Sequence, residues 1–400
     1  MKHTDNTTAA TPPAKGGGRL LALDILRGIT IAGMIMVNNP GSWGNIYAPL
    51  RHAEWNGLTP TDLVFPFFMF IMGVSTYFSL RKYDFRFSWQ SFAKIVRRSV
   101  VIFLIGLAIA WFGRFLGRLN SDASFMDAVF NFDQIRILGV MPRLAICYGV
   151  GAITALLVRR AVLPWVVGGI LVLYSILLLT GNGFAFADTN IISIVDHKVL
   201  GPDHMYADTV GGVRLKFDPE GLLSTLPSIA HMLIGFICGG LLMDTRDNGK
   251  RINSLFIVGT ILTFAGFLLD FGMPINKKIW SPTFVLTTCG LASSFLALLI
   301  WIIDIKGYRR WCRFFEVFGI NPLFLYCLGS VLSIIIGSIR IPCASAEAGF
   351  VTIKGWAYND VLVPLLGDAT LASLIFALTF VALNWCVGLI LYKKKIYIKI

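Results

Sequence analysis

Apolar residues in this chain run in blocks of about 20, and polar residues are confined to the gaps between them. A helix rising about 1.5 Å per residue needs a block of that length to cross a hydrocarbon core roughly 30 Å thick. Such blocks lie near 20–39, 61–80, 95–113, 136–157, 162–180, 223–243, 254–271, 282–304, 313–338 and 369–392. The pattern predicts an all-α fold, a polytopic membrane helical bundle of about ten transmembrane helices. Residues 1–19, rich in Thr, Ala, Pro and Gly, are expected to form a disordered cytoplasmic tail, leaving 20–400 as one transmembrane domain. Leu20–Asn39 is interrupted by Asp24 and Arg27, and no short apolar core with a small-residue cleavage site follows. It is expected to be retained rather than removed as a signal peptide.

Composition agrees with a bilayer. Hydrophobic residues make up 56% of the 400 and charged residues only 14%, against about a quarter charged in soluble domains. A net charge of +13 raises nucleic acid as a partner, but Lys and Arg fall in short clusters between apolar blocks, with no basic stripe carrying interleaved aromatics. Nucleic-acid binding is therefore not expected. With the N-terminus inside, 22 of the 35 Lys and Arg fall in cytoplasmic segments and 11 in outer ones, while Arg27 and Arg143 lie within spans. That bias predicts an N-in, C-in topology. The longer loops 40–60, 114–135, 181–222 and 339–368 then face outward. The seven cysteines are scattered without paired spacing, so neither a metal site nor a disulfide framework is expected. There is no P-loop, no GxGxxG after a strand, no HExxH and no GxSxG, which leaves ATP-driven transport, zinc proteolysis and serine hydrolysis without support.

Candidate chemistry concentrates between Val37 and Pro66, VNNPGSWGNIYAPLRHAEWNGLTPTDLVFP. His52 lies there in a loop with Trp55, Asn56 and Gly57, and Asn38 and Asn39 end the first span. Thr59 or Thr61 caps the second span, and Asp62 suits its positive end. An imidazole at a membrane mouth suits proton transfer near neutral pH; it also suits accepting an acyl group. Asn38 is placed to orient the ring or to donate to an oxyanion. On residue chemistry alone, a histidine satisfied by loop backbone is the competing reading. Arg143 has no acid beside it in sequence and needs a partner, either Asp133 or Asp24, or an anionic ligand. Arg27 pairs with Asp24 three residues away or contacts a ligand. Lys277, Lys278 and Trp280 read as interfacial anchors first and ligand contacts second. Asp196, His197, Asp203, His204 and Asp208 match no standard metal spacing; they are expected to order their loop, with Asp203 or His204 a contact for substrate. Asp218 and Glu220 are expected to cap the sixth span.

Several stretches carry a family resemblance: LDILRG from Leu23, MVNN, HAEWNGLTPTDLVFPFFMFIMG from His52, FDQIRILGVMPRLAICY from Phe132, LGPDHMY from Leu200, FDPEGLLSTLPSI from Phe217 and INKKIWSPTFVLTT from Ile275. In that order, across nearly the whole chain after residue 20, they resemble the heparan-α-glucosaminide N-acetyltransferase family. The resemblance implies a transmembrane enzyme that takes acetyl from acetyl-CoA and delivers it to the amine of a glucosamine-type sugar or glycan outside. It places the active histidine on His52 and the active asparagine on Asn38. Arg27, Arg143, Lys277 and Trp280 become candidates for the CoA ester, and Trp55, Asn56, Asp62, Asp203 and His204 for the acceptor. No metal is implied, and a homodimer is. The short segment before the first motif departs from the lysosomal members and suggests a bacterial homologue in the cytoplasmic (inner) membrane. Two other classes remain as rivals: a sugar transporter, and an accessory protein of envelope polysaccharide assembly without acyl turnover.

Overall fold

A computed structural model describes residues 20–398 apart from 122, 246 and 344–348. The tail expected at 1–19 lies outside the described residues. The helices are α1 (Leu21–Val37), α2 (Val64–Leu80), α3 (Trp89–Leu119), α4 (Phe125–Val129), α5 (Val140–Leu157), α6 (Leu163–Thr180), α7 (Ile191–Leu200) and α8 (Leu222–Asp244). They continue as α9 (Asn248–Asp270), α10 (Pro282–Leu299), α11 (Cys312–Ile320), α12 (Pro322–Ser338), α13 (Ile353–Gly355), α14 (Val363–Leu366) and α15 (Ala369–Lys393). Two small hairpins join them. β1 (Ala207–Val210) pairs antiparallel with β2 (Val213–Lys216), Ala207 opposite Lys216, and β3 (Arg340–Pro342) pairs with β4 (Phe350–Thr352). Gly211 and Gly212, at φ +55° and +80°, make the tight turn between β1 and β2 that a side chain would strain.

Among the described residues, 8 helical stretches are long and apolar enough to cross a membrane, and α11 with α12 makes up to 9 if the bent pair is one span. α1, expected as a span at 20–39, is helical over 17 residues, about 25 Å. The expected span 313–338 is not straight. Its two halves meet at 85°, because Pro322 has no N–H to donate and disfavours helical backbone at Asn321. Asn321 sits at φ −122°, ψ 56°, and its side chain donates to the Ile396 carbonyl while accepting from the Ile398 N–H.

Glycines set how closely the helices approach. A Cβ on Gly73 of α2 would lie 2.0 Å from the Met232 carbonyl oxygen of α8, and one on Gly235 of α8 would lie 2.2 Å from that of Phe70. Gly28 of α1 faces Phe315 of α11 in the same way, at 1.8 Å. Backbones in direct contact are how helices pack where lipid removes the hydrophobic drive.

Loops sort to two ends of the bundle. At one end the Gly57 N–H reaches the Ile275 carbonyl, Glu54 accepts from Gly211, Asn45 donates to Tyr358, and the Ile137 N–H reaches the His204 carbonyl. At the other, Tyr77 donates to Asp244, Arg160 pairs with Asp244, and Tyr392 donates to Glu316. His52 belongs to the first end.

Candidate functional site

The chain between α1 and α2 folds back on Asp62. Thr59 and Asp62 form a reciprocal capping box on the turn Pro60–Leu63, ahead of α2. That box directs the Asp62 carboxylate back under the loop, where it is 1% exposed. Its Oδ2 accepts from the Ala53 N–H at 3.0 Å, the Thr59 N–H at 3.2 Å and the Thr59 hydroxyl at 2.9 Å. Its Oδ1 lies 2.6 Å from His52 Nδ1. Lys277, from the turn before α10, puts its Nζ 3.2 Å from the same Oδ1 and 3.0 Å from His52 Nδ1.

The three groups fix one tautomer. A carboxylate only accepts and an ammonium only donates, so Nδ1–H donates to Asp62 while Lys277 donates to the same carboxylate. The lone pair is left on Nε2, which no hydrogen bond occupies among the described residues; the His52 side chain is 35% exposed. Burial pushes the His52 pKa down and Lys277 pushes the same way; together they outweigh Asp62, and the ring stays below its ordinary 6.5. Burial likewise lowers the Lys277 ammonium, which Asp62 opposes. The result is an imidazole that is neutral at neutral pH, oriented from behind, with its basic nitrogen outward.

Two of the residues expected at the acceptor brace the loop. Trp55 donates from Nε1 to the Phe184 carbonyl at 2.8 Å and packs edge-on to Phe186 and Phe217. Asn56 accepts from Asn276 at 3.0 Å. Asp62, expected to meet the acceptor, spends both oxygens on the loop, His52 and Lys277. His204 donates through Nδ1–H to the Ile135 carbonyl, 2.8 Å away, and Asp203 is exposed on the turn Pro202–His204. Asn38 caps the C-terminus of α1 through its backbone N–H; its side chain is exposed and makes no hydrogen bond to His52.

The candidates for the CoA ester separate into two places. Arg27 donates to Asp24 at 3.0 Å, to the Gly319 carbonyl at 3.3 Å and to Ser75 at 2.8 Å, locking α1 to α2 and α11. It stands 11 residues along α1 from Asn38, about 16 Å. Trp280, by contrast, is joined to Lys277 by a turn in which the Trp280 N–H reaches the Lys277 carbonyl. Its reading as an interfacial anchor is corrected: φ of +52° turns the indole inward, where it is 1% exposed. The Arg143 guanidinium stacks over that indole, 5.2 Å from its centroid. Neither Asp133 nor Asp24 partners Arg143; it donates to the Gly221 carbonyl at 3.2 Å and to Ser224, because α8 starts against α5 at this level. Arg143 Nε and Nη1, Trp280 Nε1 and His231 Nδ1 are buried without a hydrogen-bond partner among the described residues, and His231 also touches the Trp280 ring. Three unsatisfied donors around one cation fit a ligand bearing negative charge or carbonyl oxygens.

Below the site lies an ionic network that sequence reasoning missed. Arg136 takes Asp218 through Nε and Nη2, at 2.9 and 2.5 Å, and also Glu220. Burial works against its charge, but the two carboxylates prevail and raise its pKa above the usual value. Burial would raise Glu220, yet Arg136 and Arg143 hold it below its ordinary range. Those acids were expected to cap α8. Asp196 of α7 does so instead, accepting from the Leu222 N–H at 2.9 Å, and burial pushes its pKa up to about 6. Only the DPEG spacing hinted at this network; its arginine is 82 residues away in sequence. Among the described residues, no group of three or more His, Cys, Asp or Glu is placed to hold a metal ion.

Residues 19–267 match the profile of heparan-alpha-glucosaminide N-acetyltransferase, catalytic. The chain belongs to that family. It is similar to the human heparan-alpha-glucosaminide N-acetyltransferase, 29% identical over 371 residues, covering 80% of this chain and 53% of the human one. The mouse protein of the same name is 29% identical over 369 residues, covering 78% of this chain and 54% of its own. The chain therefore spans about half the length of the curated relatives it matches. His52, Asp62 and Arg143 fall inside the segment matched to the N-acetyltransferase family, and Lys277 and Trp280 fall beyond its end.

Proposed function

We propose that this protein is a transmembrane N-acetyltransferase that moves acetyl from acetyl-CoA to the amine of a glucosamine-type sugar on the extracytoplasmic side. Family membership supports the acyl-transfer chemistry and the amino-sugar acceptor. The observation that carries the residue assignment is the His52–Asp62–Lys277 cluster, with Nε2 free at the end of the bundle where the long loops gather.

In this reading the amine attacks the thioester carbonyl, forming the C–N bond as the C–S bond breaks. His52 Nε2 takes the amine proton and returns it to the departing CoA sulfur, so the ring ends as it began. Asp62 holds the tautomer and offsets the positive charge that His52 carries in between. Burial, with Lys277 adding to it, keeps the resting ring unprotonated. If acetyl instead rests on His52, the same nitrogen is the nucleophile; acid quench without acceptor followed by mass spectrometry of the His52 peptide separates the routes. Arg143 and Trp280 are assigned to the donor, whose negative charge or carbonyl oxygens would satisfy their free N–H groups. They join the His52 site through the single turn from Lys277 to Trp280, which lets a donor lodged inside the bundle reach an acceptor at its mouth. Arg27, bonded to three helices, is assigned a structural role. Asn38, at the C-terminal end of α1 with its side chain exposed, is assigned to the developing oxyanion once the donor is bound.

A bacterial inner membrane, N-in and C-in, with 20–400 as one domain that pairs into a homodimer, completes the proposal. The test is transfer of labelled acetyl from acetyl-CoA to glucosamine by the purified protein. His52→Ala is expected to reduce it by at least about 10²-fold, the lower range for losing a general base. Unchanged turnover in that variant would falsify the assignment. A wild type that moves sugar without consuming acetyl-CoA would favour the transporter.

A further inference from the structure

A cavity of about 320 Å³ opens sideways between α3 and α5, toward the end of the bundle opposite His52. Val96, Ser99 and Phe103 of α3 line one wall, and Ala145, Gly149 and Ile153 of α5 the other. Within it the Ser99 hydroxyl is buried with no hydrogen-bond partner among the described residues. α3 is otherwise unusually bare: of its 31 residues only Ser91, Ile95 and Ile102 are buried.

The groove is polar at one end only. A Cβ on Gly149 would meet Ser99, and one on Gly106 would meet Pro142, so α3 and α5 run antiparallel. That brings the start of α3, with Lys94, Arg97 and Arg98, to the same end as Arg159 beyond the last turn of α5. The Arg98 guanidinium lies over Tyr148 of α5, 4.7 Å from the ring centroid, on the α3–α5 seam and next in sequence to the groove-lining Ser99. Neither helix carries an acidic residue. At the far end the next cation on α3 is Arg114, ten residues beyond Leu104 and about 15 Å away. Arg143 of α5 is wholly buried and faces α8.

We propose that this groove holds one acyl chain of an anionic phospholipid, with the phosphate among Lys94, Arg97, Arg98 and Arg159. An empty apolar groove forfeits dispersion contacts along both walls, which a hydrocarbon chain restores. Basic clusters between helices at one membrane face recognise anionic headgroups, and the one-ended charge gives the lipid a single orientation. A zwitterionic lipid fits the walls equally well but gains less from the four cations.

Native mass spectrometry of the full chain in detergent, titrated separately with phosphatidylglycerol and phosphatidylcholine, tests this. The wild type is expected to retain one phosphatidylglycerol under conditions that strip phosphatidylcholine. Val150 also lines the groove and is 44% exposed, so Val150→Trp obstructs it without entering the core. That variant should bind phosphatidylglycerol about tenfold more weakly. Arg97→Gln with Arg98→Gln should remove the preference between the lipids and leave phosphatidylcholine binding as it was. Val100→Trp, at a position 49% exposed, serves as a second obstruction should the first fail to fold. Equal retention of both lipids by the wild type overturns the proposal, as does undiminished phosphatidylglycerol in a folded obstructed variant. A dimer that Val150→Trp dissociates would assign the groove to a second copy and overturn it too.

Discussion

At the scale of single residues, His52 depends on two neighbours that act in opposite directions. Asp62 favours the charged imidazole and Lys277 disfavours it, and burial adds to the lysine. Lys277→Met removes one of the two influences that lower the pKa, so the acid limb of kcat/KM should move to higher pH; a limb that stays in place would rule out the lysine's role. Asp62→Asn leaves a side chain that no longer fixes Nδ1–H or balances the protonated ring. It should lower kcat by about 10²-fold or more while leaving the KM for acetyl-CoA nearly unchanged, which steady-state kinetics will read. Arg143 gives a third prediction. Its unsatisfied N–H groups are costly until a ligand meets them, so acetyl-CoA should raise the melting temperature of the wild type and not that of Arg143→Gln. His52 was legible as a candidate from its place among Trp, Asn and Gly at the edge of an apolar block, but residue chemistry alone left a loop-satisfied histidine as the competing reading, and the family resemblance singled it out. Lys277 was legible only as a charge at a membrane edge, since its partner is 215 residues away. Trp280 was misread because nothing in a residue's identity signals a left-handed backbone that turns an indole inward.

At the scale of helices, the apolar blocks marked positions well and shapes poorly. The blocks near 223–243, 282–304 and 369–392 agree with α8, α10 and α15 to within a few residues, because a helix in lipid must satisfy its backbone internally wherever the apolar run lies. The block 313–338 reads as continuous, and hydropathy is blind to the bend that Pro322 imposes. The contacts that bring α2 against α8 were equally hidden, since a glycine in an apolar run carries no mark of what it faces. Gly73→Val should place methyl groups where the Met232 carbonyl already lies and destabilise the fold by at least about 1–3 kcal/mol. Gly117→Ala, with nothing within 4 Å of its Cβ, should be close to neutral. Thermal unfolding in one detergent, run on both variants, makes the comparison.

At the scale of the whole molecule, the alternation of charge between loops was the most informative feature of the sequence. Of the four loops it assigns to one side, 40–60, 114–135, 181–222 and 339–368, the first touches the third and the fourth at the His52 end. The topology proposed from it is open to direct test. Arg214→Cys, on the β1–β2 hairpin, should react with an impermeant maleimide on intact cells, and Lys394→Cys, just past α15, should react only after the membrane is breached; the reverse pattern would invert the orientation. The site is shared between distant parts of the chain, and Lys277, its last contributor, comes after the segment 19–267 that the family profile matches. A gene cut at residue 267 would still match the family profile, and would still encode His52 and Asp62. It would lack Lys277, which meets both of them in the folded protein, so on the proposed mechanism a match to that profile is no guarantee of a working enzyme.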